Sequence, residues 1–259
     1  MVNFCKIYKH YMTQALPQVA LGRSRLVRFL TDISRSETQV SHRQFTERLG
    51  ELIDFSDSIT LSDAHARDLV VECEDVASFS AGVTEEFLRA RSRLVQAAMR
   101  SFFPSTGPSR IRWPAEESTP PATPTDAARP YLKFYQQQQV DVDSKIRGLH
   151  LRTRQTVAAL SAKLARICAI DEALGDALAL HSRGYLGAVP GLLGQRLGYL
   201  YAQYQKTVNE GADADAAWRD TREQYRREAQ GLLLAEIEAR LLPALGLIEA
   251  LNEEIPNED

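Results

Sequence analysis

The spacing of apolar residues after Tyr131 leaves this chain few ways to fold. Tyr131, Tyr135, Gln138, Val142, Ile146, Leu149, Thr153, Thr156, Leu160, Leu164, Ile167, Leu174 and Leu178 follow one another mostly by three or four. A side chain returns to the same face of an α-helix every 3.6 residues, so the run paints one stripe along one helix. Sustained for roughly 50 residues, it predicts a coiled-coil-like helix about 75 Å long with several polar seam positions. Gly148 and Gly175 are its weak points, each costing about 1 kcal/mol relative to Ala.

Such a helix cannot bury its stripe alone. Gly184-Tyr-Leu-Gly187 predicts a turn, and Pro190 suits the first turn of a second helix, on which Leu192, Leu193, Leu197, Leu200, Tyr201 and Tyr204 face one way. Asn209-Glu-Gly211 predicts another break. A last helix then runs from about Asp213 through Trp218, Tyr225, Leu232, Leu233, Ile237 and Leu241, with Pro243 as stop or kink. Folding these two back along the long helix gives an antiparallel bundle over 131–248, followed by an acidic tail over 249–259.

The first half is less regular. Residues 1–22 form an N-terminal arm with Phe4, Ile7, Tyr8 and Tyr11, and Met12 offers an alternative start. Residues 23–103 are expected to form a small helical module. Leu26, Val27, Leu30 and Ile33 mark its first helix, and Ser41 caps a second carrying Phe45, Leu49, Leu52 and Ile53. The Ser- and Asp-rich stretch Asp54–Asp63 predicts a turn. Ser62 caps a third helix through Leu69, Val70, Cys73 and Val76 that Gly82 ends, and Thr84 caps a fourth with Phe87, Leu88, Leu94, Val95, Ala98 and Phe102 inward. From 104 to 130, seven prolines predict an extended linker in which Ile111-Arg112-Trp113 is an apolar anchor. The fold class is all-α: an N-terminal helical module and a C-terminal long-helix bundle.

Charge and cysteine usage narrow the functional classes. With 31 basic and 34 acidic residues the net charge is −3, which opposes bulk attraction to nucleic acid or anionic membrane. Cys5, Cys73 and Cys168 are odd in number and far apart, so neither a disulfide framework nor a zinc knuckle is expected, and the chain reads as cytoplasmic. Gly231 to Leu251 is the most apolar long stretch, but Glu236, Glu238, Arg240 and Glu249 rule it out as a membrane span. His65 near Glu72, Cys73, Glu74 and Asp75 lacks a second histidine at ligand spacing. The glycines at 184, 187, 191, 194 and 198 lack the Lys-Ser/Thr of a phosphate loop and read as a turn plus close helix packing. No catalytic, metal or cofactor residue is assigned, and no enzyme activity is expected. Arg219, Arg222, Arg226 and Arg227, interleaved with Trp218 and Tyr225, are the one candidate nucleic-acid face. Asp215, Asp220, Glu223 and Glu228 beside them favour a solvated, ion-paired helix face instead.

Three stretches carry a resemblance. Leu26-Val-Arg-Phe-Leu is followed by Phe45-Thr-Glu-Arg-Leu and Phe55-Ser-Asp-Ser-Ile-Thr-Leu-Ser; Tyr135-Gln-Gln-Gln-Gln stands at the head of the long helix; Val189-Pro-Gly-Leu-Leu-Gly-Gln-Arg196 follows it. Over roughly residues 23–205 the chain resembles an uncharacterised family of proteobacterial helical proteins known only as a domain of unknown function. It departs from that family at Phe55, where Trp is expected, and in the glycines around Val189. The signature positions Phe45, Arg48, Leu49, Phe55, Asp57, Tyr135, Gln139, Pro190, Leu193 and Arg196 have no assigned role beyond packing or interaction. The resemblance further implies neighbours similar to flagellar-stator or Tol-type membrane proteins and to OmpA-type proteins. The expected function is a non-enzymatic scaffold or adaptor, an accessory of an envelope-spanning complex. Its partners would be proteins of an inner-membrane channel-like complex, or other copies of itself joined through the long helix.

Overall fold

A proline supplies the first long helix with its start. The computed structural model describes residues 25–34, 51–67, 71, 76–103, 110–115 and 121–254, and no strand occurs among them. The helices are α1 (Arg25–Ser34), α2 (Phe55–Ala66), α3 (Val76–Phe102), α4 (Pro124–Ala158), α5 (Ala162–Asn209) and α6 (Ala214–Glu254). At the head of α4, Thr123 Oγ1 accepts from the Asp126 amide at 3.1 Å, with Pro124 at the first helical position. A fixed φ and a missing N–H cost nothing there, so the helix begins inside the stretch expected to be extended, not at Tyr131.

Further expectations are corrected. The 131–178 run is not one helix: α4 stops at Ala158, and Ser161, accepting from the Leu164 amide at 3.1 Å, caps α5. α5 then passes through Gly184, Gly187 and Pro190 without a turn, reaching about 72 Å at 1.5 Å per residue over its 48 residues. The expected turn at Asp54–Asp63 is α2, nucleated by a reciprocal cap in which Asp54 Oδ1 accepts from the Asp57 amide (2.8 Å) and Asp57 Oδ2 from the Asp54 amide (3.1 Å). Ser and Asp cap helices for the same reason that they make turns, by bonding nearby amides. Ser62 therefore lies within α2, and α3 likewise runs through Gly82 and Thr84. The arm over 1–22, most of the helix expected from Ser41, Cys73 and the tail beyond Glu254 lie outside the described residues.

Side-chain pairs give the topology. Tyr135 meets Glu236 and Asp143 meets Arg240, so α4 and α6 are parallel. α5 is antiparallel to both, through Gln139 with Leu186 on α4 and Arg196 with Glu228 on α6. α3 is also antiparallel, with Thr84 near Asn252 and Phe103 under Arg226. α3 and α5 thus lie on opposite sides of the parallel pair, a four-helix arrangement in which α3 adds a helix to the three expected. α2 packs on α5, and α1 on α6 and α5. Gly231 makes α1 fit: a Cβ there would stand 2.6 Å from Phe29 Cζ, so only glycine admits the ring.

The core is continuous from α3 to α6. Phe87, Leu94 and Phe102 of α3 share one cluster with Phe134, Val142 and Ile146 of α4, Leu193 and Leu197 of α5, and Leu232, Leu233 and Ile237 of α6. A second cluster, Val157, Leu160, Leu164, Cys168, Leu247 and Leu251, closes the end at the α4–α5 turn. Polar seam positions Gln138 and Thr153 are buried within this packing, so the long seam is filled by the chain's own helices.

A buried carboxylate cluster at the centre of the bundle

The most concentrated polar chemistry lies where α4, α5 and α6 meet. Glu236 has no exposed surface, yet sits in an apolar run, Gly231-Leu-Leu-Leu-Ala-Glu-Ile237. A carboxylate there must be supplied with donors or it destabilises the fold. Tyr135 Oη donates to its Oε1 at 2.7 Å, Gln139 Nε2 donates to Oε1 at 3.1 Å and Oε2 at 2.9 Å, and Arg240 donates to Oε2 at 3.3 Å. Arg240 also donates to Asp143 Oδ1 at 2.7 Å, which extends the cluster to the surface of α4.

Burial pushes the Glu236 carboxyl above its usual range, against the opposing pull of the Tyr135 and Gln139 hydrogen bonds and of Arg240. Burial first, then the Glu236 charge, raises the Tyr135 phenol well above its ordinary value. Both groups are locked in mutual bonds, and neither lines an open cleft.

Gln139 has a second task that Pro190 creates. In a helix the carbonyl of residue i accepts from the amide of i+4, and a proline at i+4 has none. Pro190 removes the donor that Leu186 would use, and Gln139 Nε2 donates to Leu186 O at 3.0 Å. One amide side chain therefore repairs α5 and neutralises part of the α6 carboxylate. We predict that Gln139→Leu costs about 2–3 kcal/mol, by leaving Leu186 O without a donor and Glu236 with only Tyr135 and Arg240. Pro190→Ala should recover part of that loss, because an alanine in place of the proline returns an amide to Leu186. A double-mutant cycle by denaturant unfolding measures the coupling, and zero coupling would refute this account.

The remaining signature positions fall elsewhere. Leu193 is fully buried in the core, and Arg196 grips Glu228 through two bonds of 2.8 and 2.7 Å, tying α5 to α6. The Glu228 hydrogen bond holds the Arg196 guanidinium above its ordinary value. Asp57 completes the α2 cap, and Phe55 is 83% exposed. Phe45, Arg48 and Leu49 lie outside the described residues. Among the described signature positions only Tyr135, Gln139 and Pro190 come together, and they do so around Glu236 and Arg240, which the sequence marks only as charges against a membrane span.

The arginine face does not assemble as one surface. Arg222 is buried beside Trp218, with Nε and Nη1 lacking hydrogen-bond partners, while Arg226 and Arg227 both pair with Glu223. Arg226 lies over the Phe103 ring as well, and Arg219 is exposed. Of the five glycines near Pro190, only Gly194 is closely approached, by Leu132 at 3.3 Å from a would-be Cβ; the turn and the packed stripe expected there are both absent.

A second ionic group clamps α4 to α5. Asp171 Oδ2 lies 2.8 Å from His150 Nε2 and accepts from Arg154 Nε at 2.9 Å. Burial pushes the Asp171 carboxyl up, but His150 and Arg154 together hold it below its usual range. Burial first, then Asp171, pushes the neighbouring Cys168 thiol up to about 12, so it is a packed thiol rather than a nucleophile. Among the described residues no group of three His, Cys, Asp or Glu could hold a metal ion, and no helix is long and apolar enough to cross a membrane.

These features define an all-α helical-bundle protein whose central polar residues fasten helices to one another. Over residues 12–253 the sequence matches the family described as "Protein of unknown function (DUF3348)", and the chain belongs to that family. No curated protein and no solved structure matches it.

Proposed function

We propose that this chain is a non-enzymatic helical scaffold or adaptor and, following the resemblance in its sequence, a cytoplasmic accessory of an envelope-spanning membrane complex. The observation that carries the reading is the fate of the signature polar residues. Tyr135 and Gln139 meet in a sealed cluster whose acid is saturated with donors from its own chain. Catalytic acids instead need access to a substrate and a free coordination position. Spending such residues on joining three helices suits a rigid rod that presents long outer faces. Exposed apolar residues stand on those faces, among them Phe55, Ile59, Val140, Leu180 and Tyr185. Where exposed apolar residues adjoin in one patch, they mark a protein contact site.

The test is an affinity capture of C-terminally tagged protein from its native cell after gentle detergent lysis. The expected result is co-purification of inner-membrane channel-like proteins in fixed proportion. Recovery of the chain alone, or with nucleic acid only, would overturn the reading.

A further inference from the structure

Between α3 and α4 the bundle leaves an open groove of about 600 Å³. Its floor is apolar and low: Leu94 and Leu149 are buried, and Ala90, Ala97 and Gly148 place nothing larger than a methyl in it. Arg93 and Arg100 from α3 and Lys145 and Arg152 from α4 form its rim, and no acidic side chain lines it. Asp141 answers Lys145 at 2.5 Å, and Arg100 Nε donates to the Gln96 carbonyl at 3.3 Å. Arg93 and Arg152 are exposed and have no acidic partner among the described residues. Val140 and Leu151, 72% and 49% exposed, continue the α4 wall. With Ser144 and Gly148 they step by four, four and three, so they stand on one face of the helix.

The geometry points to this groove as the docking site for an acidic amphipathic helix of a partner protein. The inference rests on the adaptor reading and names the chemistry of its partner. Charge and floor together choose the occupant. A nucleic-acid backbone would use the cations but gain nothing from Leu94 and Leu149. No aromatic ring lines the groove for base stacking. A purely apolar helix would bury cations with nothing to pair them. An amphipathic helix with carboxylates on its flanks uses both features: its apolar side chains fill the floor, and its acids meet Arg93 and Arg152. The small residues on both walls let its backbone come close, toward the 8–10 Å separation of packed helices.

The test uses the full chain and a fluorescently labelled synthetic helix of roughly four turns, with Leu along one face and Glu on both flanks. Anisotropy should show saturable, salt-sensitive binding. R93E/R152E should weaken it at least about tenfold with no change in thermal unfolding, since both side chains face solvent. Gly148→Trp, which fills the floor but keeps the cations, should weaken it comparably, as should replacing the peptide's Leu by Ser. Unchanged binding by R93E/R152E, equal binding of the Ser peptide, or displacement by an oligonucleotide at equal or lower concentration would each overturn the assignment. If the peptide fails while the cellular capture still retrieves channel-like proteins, the groove is wrong and the adaptor reading stands. If the peptide binds as described and the capture fails, the groove survives and that biological role does not.

Discussion

Glu236→Ala should remove about 3–5 kcal/mol of folding stability, the usual consequence of deleting one partner from a buried charged cluster. The loss arises from the donors left behind. The Tyr135 hydroxyl, one N–H of Gln139 and the Arg240 contact at 3.3 Å would all lose their acceptor inside a core where water does not reach. Urea unfolding followed by far-ultraviolet circular dichroism measures it, and a change below about 1 kcal/mol would mean that the cluster does not hold the helices.

The same carboxyl predicts a pH signature. Its folded value is raised from 4.5, chiefly by burial, so the folded state holds this proton more tightly than the unfolded chain. Its contribution is therefore fully present below pH 4.5 and is lost as pH rises through the raised folded value. Glu236→Gln cannot titrate, so the stability difference between the variant and the parent should shift in the variant's favour as pH rises through that window. Asp171 acts in the opposite sense: its folded value is lowered from 3.8, and its contribution is lost as pH falls through the folded value. Subtracting the two curves isolates Glu236 from Asp171, which both proteins share. A pH-independent difference would refute the burial of a titrating carboxyl.

Trp113→Ala should be comparably damaging, at about 3–5 kcal/mol. Trp113 comes from the proline-rich stretch, yet is 7% exposed. Its ring lies 5.1 Å from Phe102, 4.8 Å from Tyr131, 5.1 Å from Phe134 and 6.2 Å from Tyr225, and its amide donates to Ser101 O at 2.8 Å. Deleting it opens a cavity between α3, α4 and α6 that rigid aromatic neighbours cannot close. Trp113→Phe should cost much less by retaining part of the contact, and the fluorescence of Trp218 remains to report unfolding. Were Trp113→Ala neutral, the stretch joining α3 to α4 would not belong to the core.

The contrast between what the chain displays and what it hides follows from range. Helical periodicity is local, so the all-α class, the inward face of α3 (apart from Leu88, which is 43% exposed) and the inner faces of α5 and α6 were legible. Breaks were misplaced because glycine and proline are punctuation only where packing does not override them. Gly184 and Gly187 face solvent, and Gln139 completes the helix around Pro190. The true signals at Thr123-Pro124 and Ser161 were present, but a proline-rich texture masked one and an unbroken apolar spacing the other. The polar cluster was harder still, because Gln139 and Glu236 are 97 residues apart and nothing local pairs them. An acid inside Leu-Leu-Leu-Ala-Glu-Ile was nonetheless a visible anomaly. It weighed only against a membrane span, when it also called for a donor.

α6 is the element that α1, α3, α4 and α5 all touch, and it follows all four of them in the chain. Thr84 meets Asn252 across 168 residues, and Tyr135 meets Glu236 across 101. While the chain emerges from the ribosome, Phe87, Phe102, Trp113 and Val142 therefore wait with no complete surface to cover them. At the ordinary pace of about 5–20 residues per second, synthesis of the stretch from α4 to the end of α6 keeps that apolar face open for several seconds or longer. Translation stops upstream of Ala214 should accordingly yield aggregating or degraded fragments rather than a smaller folded protein, which ties the folding of the bundle to α6.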